Sequence, residues 1–203
     1  MTGIVADLIA NLNHLPVTAA SMACLRLAGS CIFCIEVVRI WFVDLRKLGD
    51  GLEKAMFGAG CFWGVEAAFR RIDGVVDVAV GYSGGQGRNP TYENVCGGKT
   101  GHAEVVEVTF DPTQVNFQRL LAMFWACHDP TQLNRQGWDV GSQYRSVIFH
   151  HSPEQEVQAR ESMAAYQASG RVKGEIVTEI TQAPDFWRAE EYHQRYFEKN
   201  GGH

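Results

Sequence analysis

Cys61 is the residue of this sequence best placed for nucleophilic chemistry. It lies in the run Gly60-Cys61-Phe62-Trp63-Gly64, between a strand signal over 54–59 and a helix signal over 62–71. A helix N-terminus carries free N–H groups and partial positive charge, so we expect the pKa of this thiol to be lowered. The glycines permit close backbone approach, and the aromatic pair predicts a small apolar pocket. The alternative is a buried structural cysteine in a strand-to-helix turn.

Glu104 is the second candidate, because its position in a strand predicts an unusual carboxyl group. In the alternating segment 102–110 it shares a face with the apolar Val106, Val108 and Phe110. A carboxyl among apolar side chains stays protonated more than one at the surface, and can act as a general acid beside a thiolate. The alternative is a strand end that reaches water. Glu107 is out of phase with this face, so we expect a solvated charge there.

Three polar side chains in or beside two long loops are further candidates. Tyr92 and Tyr144 carry phenolic hydroxyls that can donate to a polar oxygen while their rings line a pocket. Asp139 follows Gly137-Trp138 and would hold a loop or a substrate amide, or cap a turn. Half-buried structural aromatics are the alternative for both tyrosines.

The elements that must position these residues follow one another regularly after about residue 54. We predict strands over 54–59, 75–82, 102–110, 143–150 and 175–181, and helices over 62–71, around 117–125, from Pro153 after the cap Ser152, and over 186–199. This order predicts an α+β domain, a two-layer sandwich with helices packed on a mixed or antiparallel sheet. We divide the chain into an extension, 1–54, and a catalytic domain, 55–203.

Composition restricts the class of protein. With 46% hydrophobic and 20% charged residues the chain is globular rather than disordered. The 18 basic and 23 acidic residues give a net charge of −5, which provides no electrostatic case for nucleic acid. The apolar stretch 25–43 is interrupted by Arg26, Glu36 and Arg39, so we expect no membrane span. All six cysteines lie before residue 128, which favours a cytoplasmic protein with one reactive thiol over a secreted protein held together by disulfides.

Several motifs together resemble one enzyme family. GCFWG at 60–64, GYSGG at 81–85, PTYENVCGG at 90–98, TGHAEVVEV at 100–108, HDPTQ at 128–132 and GSQYRS at 141–146 look like the A-type peptide methionine sulfoxide reductases. The similarity runs from about residue 56 to 200 in the family's order. GCFWG together with GHAE is far more specific than a single short motif.

The resemblance implies a βαβ-type core and a role for each site residue. Cys61 would be the nucleophile and Glu104 the proton donor, with Tyr92 and Tyr144 donating to the sulfoxide oxygen. The methyl pocket would be formed by Phe62 and Trp63, while Asp139 and Tyr196 would help to bind substrate. The activity implied is thiol-dependent reduction of methionine-(S)-sulfoxide, free or in proteins, through a sulfenic acid on Cys61. It needs no metal or other cofactor, and we expect a monomer.

Regeneration of the thiol is where the sequence departs from many members of the family. The printed chain ends in Asn200-Gly201-Gly202-His203, without the resolving cysteines that many members carry in a Gly-rich tail. We expect an external thiol, thioredoxin or glutaredoxin with glutathione, to reduce Cys61 directly. Cys96 and the Cys31–Cys34 C-x-x-C pair are the internal alternatives, and we expect Cys127 to be inert core.

Two other classes of function compete with the reductase. A thiol hydrolase or acyltransferase would activate Cys61 through His102 or His193 and consume no reductant. A binding module would recognise apolar peptides through the aromatic pair, without turnover, and would still bind them after Cys61→Ser. A metal site is not expected, because His150 and His151 are adjacent in a strand and point to opposite faces.

Overall fold

A mixed sheet with helices packed against it forms the part of the chain that the structure, a computed structural model, describes: residues 51–201. In chain order the elements are β1 (Glu53–Ala59), α1 (Phe62–Arg70), β2 (Val75–Ser83), α2 (Tyr92–Cys96), β3 (Ala103–Phe110), α3 (Phe117–Cys127), β4 (Arg135–Gln136), β5 (Asp139–Val140), a 3₁₀ turn (Ser142–Tyr144), β6 (Ser146–His150), α4 (Pro153–Ala168), β7 (Glu179–Gln182), β8 (Trp187–Arg188) and α5 (Tyr196–Asn200). The predicted α+β class is confirmed.

The sheet order, β7-β6-β1-β3-β2-β8, places β3 between the two strands that α1 connects. Both β1 and β2 run antiparallel to β3, so they are parallel to each other and form a split βαβ unit. In the register Phe57 lies opposite Val106, and Tyr82 lies opposite Glu104. The end of β1, the start of α1 and the start of β3 therefore meet at one edge of the unit.

The helices α1, α3 and α4 share one core with the sheet face below them. The buried side chains of β1 and β3, including Phe57, Val106, Val108 and Phe110, pack there with apolar residues of α1 and α3. All four are 0% exposed. Strand alternation puts Glu104 on this face too, which decides its environment. The opposite sheet face buries a smaller cluster around Val105 and Phe149.

Two predicted strands start later in the structure than the sequence pattern indicates. The predicted strand 143–150 starts only at Ser146, since Ser142–Tyr144 turn as a 3₁₀ helix whose last N–H groups bond to Gly141 and Ser142. The predicted strand 175–181 is shortened to Glu179–Gln182. The start of α4 is as predicted, with the Ser152 hydroxyl accepting from the Gln155 N–H at 3.2 Å.

The predicted helix over 186–199 is wrong for most of its length. Trp187 pairs with Tyr82 as strand β8, and only Tyr196–Asn200 is helical. Between them the buried Gln194 side chain accepts from the Val80 N–H at 2.9 Å and donates to the Ala189 carbonyl at 2.9 Å. Arg195 takes a left-handed conformation, φ 53°, which interrupts any continuous helix.

Some expectations fall on residues outside the described range. The Cys31–Cys34 pair and most of the extension, 1–54, lie outside residues 51–201. Within the described range, no helix has both the length and the apolar character needed to cross a membrane.

Candidate active site

Cys61 occupies the position immediately before α1, where β1 has ended and the helix begins. Its backbone, φ −58° and ψ 120°, is not yet helical, so the side chain stands at the helix N-terminus as predicted. The N–H groups of Trp63 and Gly64 in the first turn lie near the sulfur without closing a capping hydrogen bond. Gly60, at φ 92°, permits the sharp change of direction between strand and helix.

The expected lowering of the Cys61 pKa is wrong. The pKa of the thiol is raised to about 11, chiefly by burial; the negative charges of Glu104 and Asp139 contribute to the rise, and the N–H groups of Trp63 and Gly64 oppose it. The helix terminus therefore acts in the predicted direction but is outweighed by desolvation. Cys61 is therefore a neutral thiol at pH 7.

Glu104 is buried, 2% exposed, beside the start of α1. Its Oε2 accepts from the N–H of Phe62, the residue after Cys61, at 3.1 Å. The pKa of Glu104 is raised to about 7, chiefly by burial; the Phe62 N–H opposes the rise and the charge of Asp139 contributes to it. As predicted, this carboxyl keeps a proton near neutral pH. Glu107, on the other sheet face, is less solvated than expected, since its side chain is 15% exposed and pairs with Lys54 at 2.8 Å.

Aromatic rings form a wall next to the sulfur. Phe62 is 1% exposed and lies 5.9 Å from the ring of Tyr82 and 6.4 Å from that of Trp63, centroid to centroid. Trp63 stacks on Tyr196 at 3.8 Å with an angle of 8° between the planes. The wall thus combines the first turn of α1 with the first residue of α5.

His193 holds this wall together from behind. Its Nδ1 accepts from the indole N–H of Trp63 at 3.1 Å, and its ring lies 4.5 Å from that of Tyr92. Because Nδ1 is an acceptor, the ring proton is at Nε2, which points to Glu190 at 4.0 Å. Burial lowers the pKa of His193, so the ring stays neutral at pH 7.

Tyr92 and Tyr144 bring two hydroxyl groups into the electrostatic range of Glu104. Burial raises the pKa of Tyr144, and the charges of Glu104, Cys96 and Asp139 raise it further. Burial also raises the pKa of Tyr92, together with the neighbouring Cys96 thiol and Glu104. Both phenols therefore remain protonated and able to donate at neutral pH.

Asp139 belongs to the β4–β5 hairpin, which lies against the start of the helix. It pairs with Gln136 across the hairpin and is exposed. A Cβ added to Gly60 would come within 2.7 Å of the Gln136 side chain, so the hairpin packs directly on the residue before Cys61. The carboxylate of Asp139 thereby reaches Cys61, Glu104 and Tyr144 electrostatically.

A partly buried thiol beside a proton-donating carboxyl, with an aromatic wall and two phenols, fits the reduction of a small polarised group. A family profile described as peptide methionine sulfoxide reductase matches residues 53–203. The chain belongs to the peptide methionine sulfoxide reductase family. It is an oxidoreductase that reduces methionine sulfoxide.

Individual members of the family match the same part of the chain. The peptide methionine sulfoxide reductase MsrA of Geobacter sulfurreducens is 64% identical over 151 residues, which cover 74% of this chain and 93% of that protein. The solved structure of methionine sulfoxide reductase A of Corynebacterium diphtheriae is 42% identical with a TM-score of 0.69, covering 76% of this chain and 77% of its own. Mxr1 of Saccharomyces cerevisiae in complex with Trx2 is 26% identical with a TM-score of 0.53, covering 73% and 86%.

All eight site residues predicted for the reductase lie in this region of the fold. They are Cys61, Phe62, Trp63, Tyr92, Glu104, Asp139, Tyr144 and Tyr196. Sequence reasoning missed Tyr82 and Glu190, whose hydroxyl and carboxylate bond at 2.9 Å behind the wall. The dense run of aromatic and polar residues over 190–196 was the available signal, but a continuous helix was expected there.

The structure gives no support to the hydrolase alternative for this reductase. His102 uses both ring nitrogens on loop backbone, with Nδ1 accepting from Gly85 N–H at 3.1 Å and Nε2 3.3 Å from the Gly87 carbonyl. His193 has its Nδ1 engaged by Trp63. In both rings the nitrogen that could accept a proton is already occupied by another hydrogen bond. Neither histidine can therefore act as the base for Cys61.

The other two cysteines of the described range differ in character. Cys127 packs against the core and its Sγ lies 3.4 Å from the Phe124 carbonyl; burial raises its pKa to about 11. This agrees with an inert core residue. Cys96 is exposed at the end of α2, one helical turn after Tyr92.

Proposed function

We propose that Cys61 removes the oxygen of methionine-(S)-sulfoxide, free or in a polypeptide, and that Glu104 supplies the proton. The observation that carries this proposal is the Phe62 N–H bonded to Glu104 at 3.1 Å, because it fixes a half-protonated carboxyl next to the thiol. Phe62 and Trp63 offer an apolar contact for the methyl group of the substrate. Tyr92 and Tyr144 then donate to the sulfoxide oxygen.

The reaction transfers one oxygen atom from the substrate sulfur to the sulfur of Cys61. The thiol proton of Cys61 passes to the Glu104 carboxylate, and the thiolate attacks the sulfoxide sulfur. Glu104 returns the proton to the sulfoxide oxygen, which makes the sulfur–oxygen bond easier to break. The oxygen, now a hydroxyl, moves from the substrate sulfur to the Cys61 sulfur as the sulfur–sulfur bond formed in the attack breaks, and the substrate sulfur keeps the electron pair. Methionine leaves and Cys61 is left as a sulfenic acid, so the substrate is reduced and the cysteine is oxidised.

Regeneration is assigned to an external thiol. Cys61 is only partly buried, so an attacking thiol can approach it. The Cys127 thiol instead donates to the Phe124 carbonyl within α3, at 3.4 Å. The Mxr1–Trx2 complex supports thioredoxin as the donor. The first thiol forms a mixed disulfide with Cys61 and releases water, and a second thiol then releases Cys61. Glutaredoxin with glutathione is proposed as the second donor. A monomeric state and a cytoplasmic location complete the proposal and rest on sequence alone.

A single turnover without reductant tests this proposal. The enzyme is mixed with each separate epimer of blocked methionine sulfoxide, and methionine and intact protein mass are measured. We expect product from the S epimer alone, and a protein heavier by one oxygen atom. A loss of two hydrogen masses instead would show an internal disulfide and contradict direct external reduction. No product from either epimer with Cys61 reduced would contradict the reductase mechanism.

Tyr144→Phe is expected to slow the single turnover about 10-fold, as is Tyr92→Phe, because each removes one hydrogen bond to the oxygen that leaves. The rings remain, so the pocket keeps its shape. The first-turnover rate at saturating substrate measures the effect, and Tyr166→Phe is a matched control, since its hydroxyl donates to the Trp125 carbonyl in the core. Unchanged rates in both site variants would remove the phenols from the mechanism.

A further inference from the structure

The loop between α3 and β6 carries an unusual concentration of exposed apolar side chains. Seven large apolar residues are exposed within residues 51–201, and three of them lie between 133 and 140. Trp138 is 99% exposed, Val140 69% and Leu133 67%. A tryptophan in this condition contributes nothing to the core and leaves its whole apolar surface in water. Large apolar residues that are exposed near one another are typical of an interaction surface, whereas a single exposed apolar residue is ordinary.

Trp138 lies in a two-residue turn whose flanking residues are fixed by hydrogen bonds. Gly137 has φ 59° at the first central position of the two-residue β4–β5 connection, as a type II′ turn requires. Its N–H donates to the Gln132 side chain at 2.8 Å. The Gln136 side chain donates to the Asp129 carbonyl at 3.3 Å. The exposed indole is therefore presented on a fixed support, which lowers the entropy cost of binding.

The same hairpin lies at the edge of the active site. Gln136 packs on Gly60, so close that a Cβ there would come within 2.7 Å of it. Asp139, the neighbour of Trp138, acts electrostatically on Cys61 and Glu104. A polypeptide whose oxidised methionine enters the site can therefore place an adjacent residue on this hairpin.

We propose that Trp138, with Leu133 and Val140 beside it in the hairpin segment, binds an apolar side chain next to the methionine sulfoxide in a polypeptide substrate. The proposal rests on the proposed function and adds a substrate preference to it. These three exposed apolar residues belong to the segment that packs on Gly60, next to Cys61, so they offer apolar surface to a residue beside a bound methionine sulfoxide. Aromatic anchors of this kind often dominate the energy of an interface.

The test compares Trp138→Ala with the native chain on three substrates, with dithiothreitol as the reductant. These are N-acetyl methionine sulfoxide amide, a blocked peptide with leucine on both sides of methionine sulfoxide, and the same peptide with glycine instead. We expect kcat/KM for the leucine peptide to fall about 10-fold, mainly through KM, and for the other two to change less than about 2-fold. Val157→Ala, 55% exposed on α4, is the matched control.

Each other outcome overturns the proposal in a distinguishable way. An equal fall on all three substrates would mean that Trp138 supports the site itself. Unchanged leucine-peptide kinetics with a raised KM for thioredoxin, measured in a parallel assay, would assign the patch to the reductant. A native chain that leaves even the blocked amino acid unreduced would contradict the proposed function itself. Trp138→Phe, which keeps an aromatic ring, is expected to retain most of the preference.

Discussion

Cys61→Ser is expected to abolish methionine formation, with a fall in the first turnover on the order of 10⁴-fold or more. A serine hydroxyl has a far higher pKa than a thiol, and it cannot accept the oxygen as a sulfenic acid. The protein mass should stay constant after exposure to the S epimer. Because the side chain closes no capping hydrogen bond, the variant should fold and still bind substrate. Quenched-flow product analysis, intact mass and equilibrium binding measure these three effects.

Cys127→Ser is the matched control for this experiment. It makes the same substitution in a thiol of similarly raised pKa, about 11, that lies in α3 and contacts the Phe124 carbonyl. Its first-turnover rate should stay within about 3-fold of the native rate, since no step of the mechanism uses this thiol. A Cys61→Ser enzyme that still forms methionine at a hundredth of the native rate would assign the oxygen transfer to another group.

The position of Glu104 could be predicted from sequence because strand geometry leaves little freedom. Alternation with Val106 and Val108 predicted a core-facing carboxyl, with a strand end that reaches water as the alternative, and the structure buries it to 2% exposure. The location of Cys61 could be predicted for the same reason, since a strand ending at Ala59 and a helix starting at Phe62 leave only one connection. Local periodicity was sufficient for these two residues.

The thiol pKa and the C-terminal segment could not be predicted, because both depend on contacts that are distant in sequence. The desolvation that raises the Cys61 pKa arises only when the pocket has assembled. From the sequence alone only the start of the helix can be predicted, and that feature lowers the pKa. The helical spacing over 186–199 was overridden by Trp187 pairing with Tyr82 and by Gln194 bonding to Val80. Tertiary hydrogen bonds therefore decided a segment whose local pattern favours a helix.

Glu104→Gln is expected to slow the first turnover roughly 10²- to 10⁴-fold at pH 7, as loss of a general acid does. The amide oxygen can still accept from the Phe62 N–H at the position where the carboxylate now accepts at 3.1 Å, so the start of α1 should be preserved. The amide cannot transfer a proton to the sulfoxide oxygen. Single-turnover kinetics from pH 5 to 10, with unchanged far-UV circular dichroism as the fold control, measure the effect.

The pH dependence of the native enzyme follows from the two raised pKa values, about 7 for Glu104 and about 11 for Cys61. Below the lower pKa both groups hold a proton. The reactive arrangement, a thiolate beside a protonated carboxyl, holds only one, so the pair must lose a proton before it can react. Between the two pKa values the pair holds a single proton, the same number as the reactive arrangement. The fraction of enzyme in that arrangement therefore does not change with pH in this range. We therefore expect kcat/KM to rise with pH, about tenfold per unit, and to level off near pH 7.

Glu104→Gln changes this profile in a way that a merely structural defect would not. Without the carboxyl, only the thiolate fraction of Cys61 limits the rate, so kcat/KM should keep rising past pH 7 towards the thiol pKa, and the deficit should shrink at high pH. Glu107→Gln is the matched control, three residues along β3 on the opposite sheet face and paired with Lys54 at 2.8 Å. It should reproduce the native plateau. A native profile that falls between pH 7 and 9 would mean that the thiolate is already formed in the free enzyme, which would contradict the proton transfer from Cys61 to Glu104.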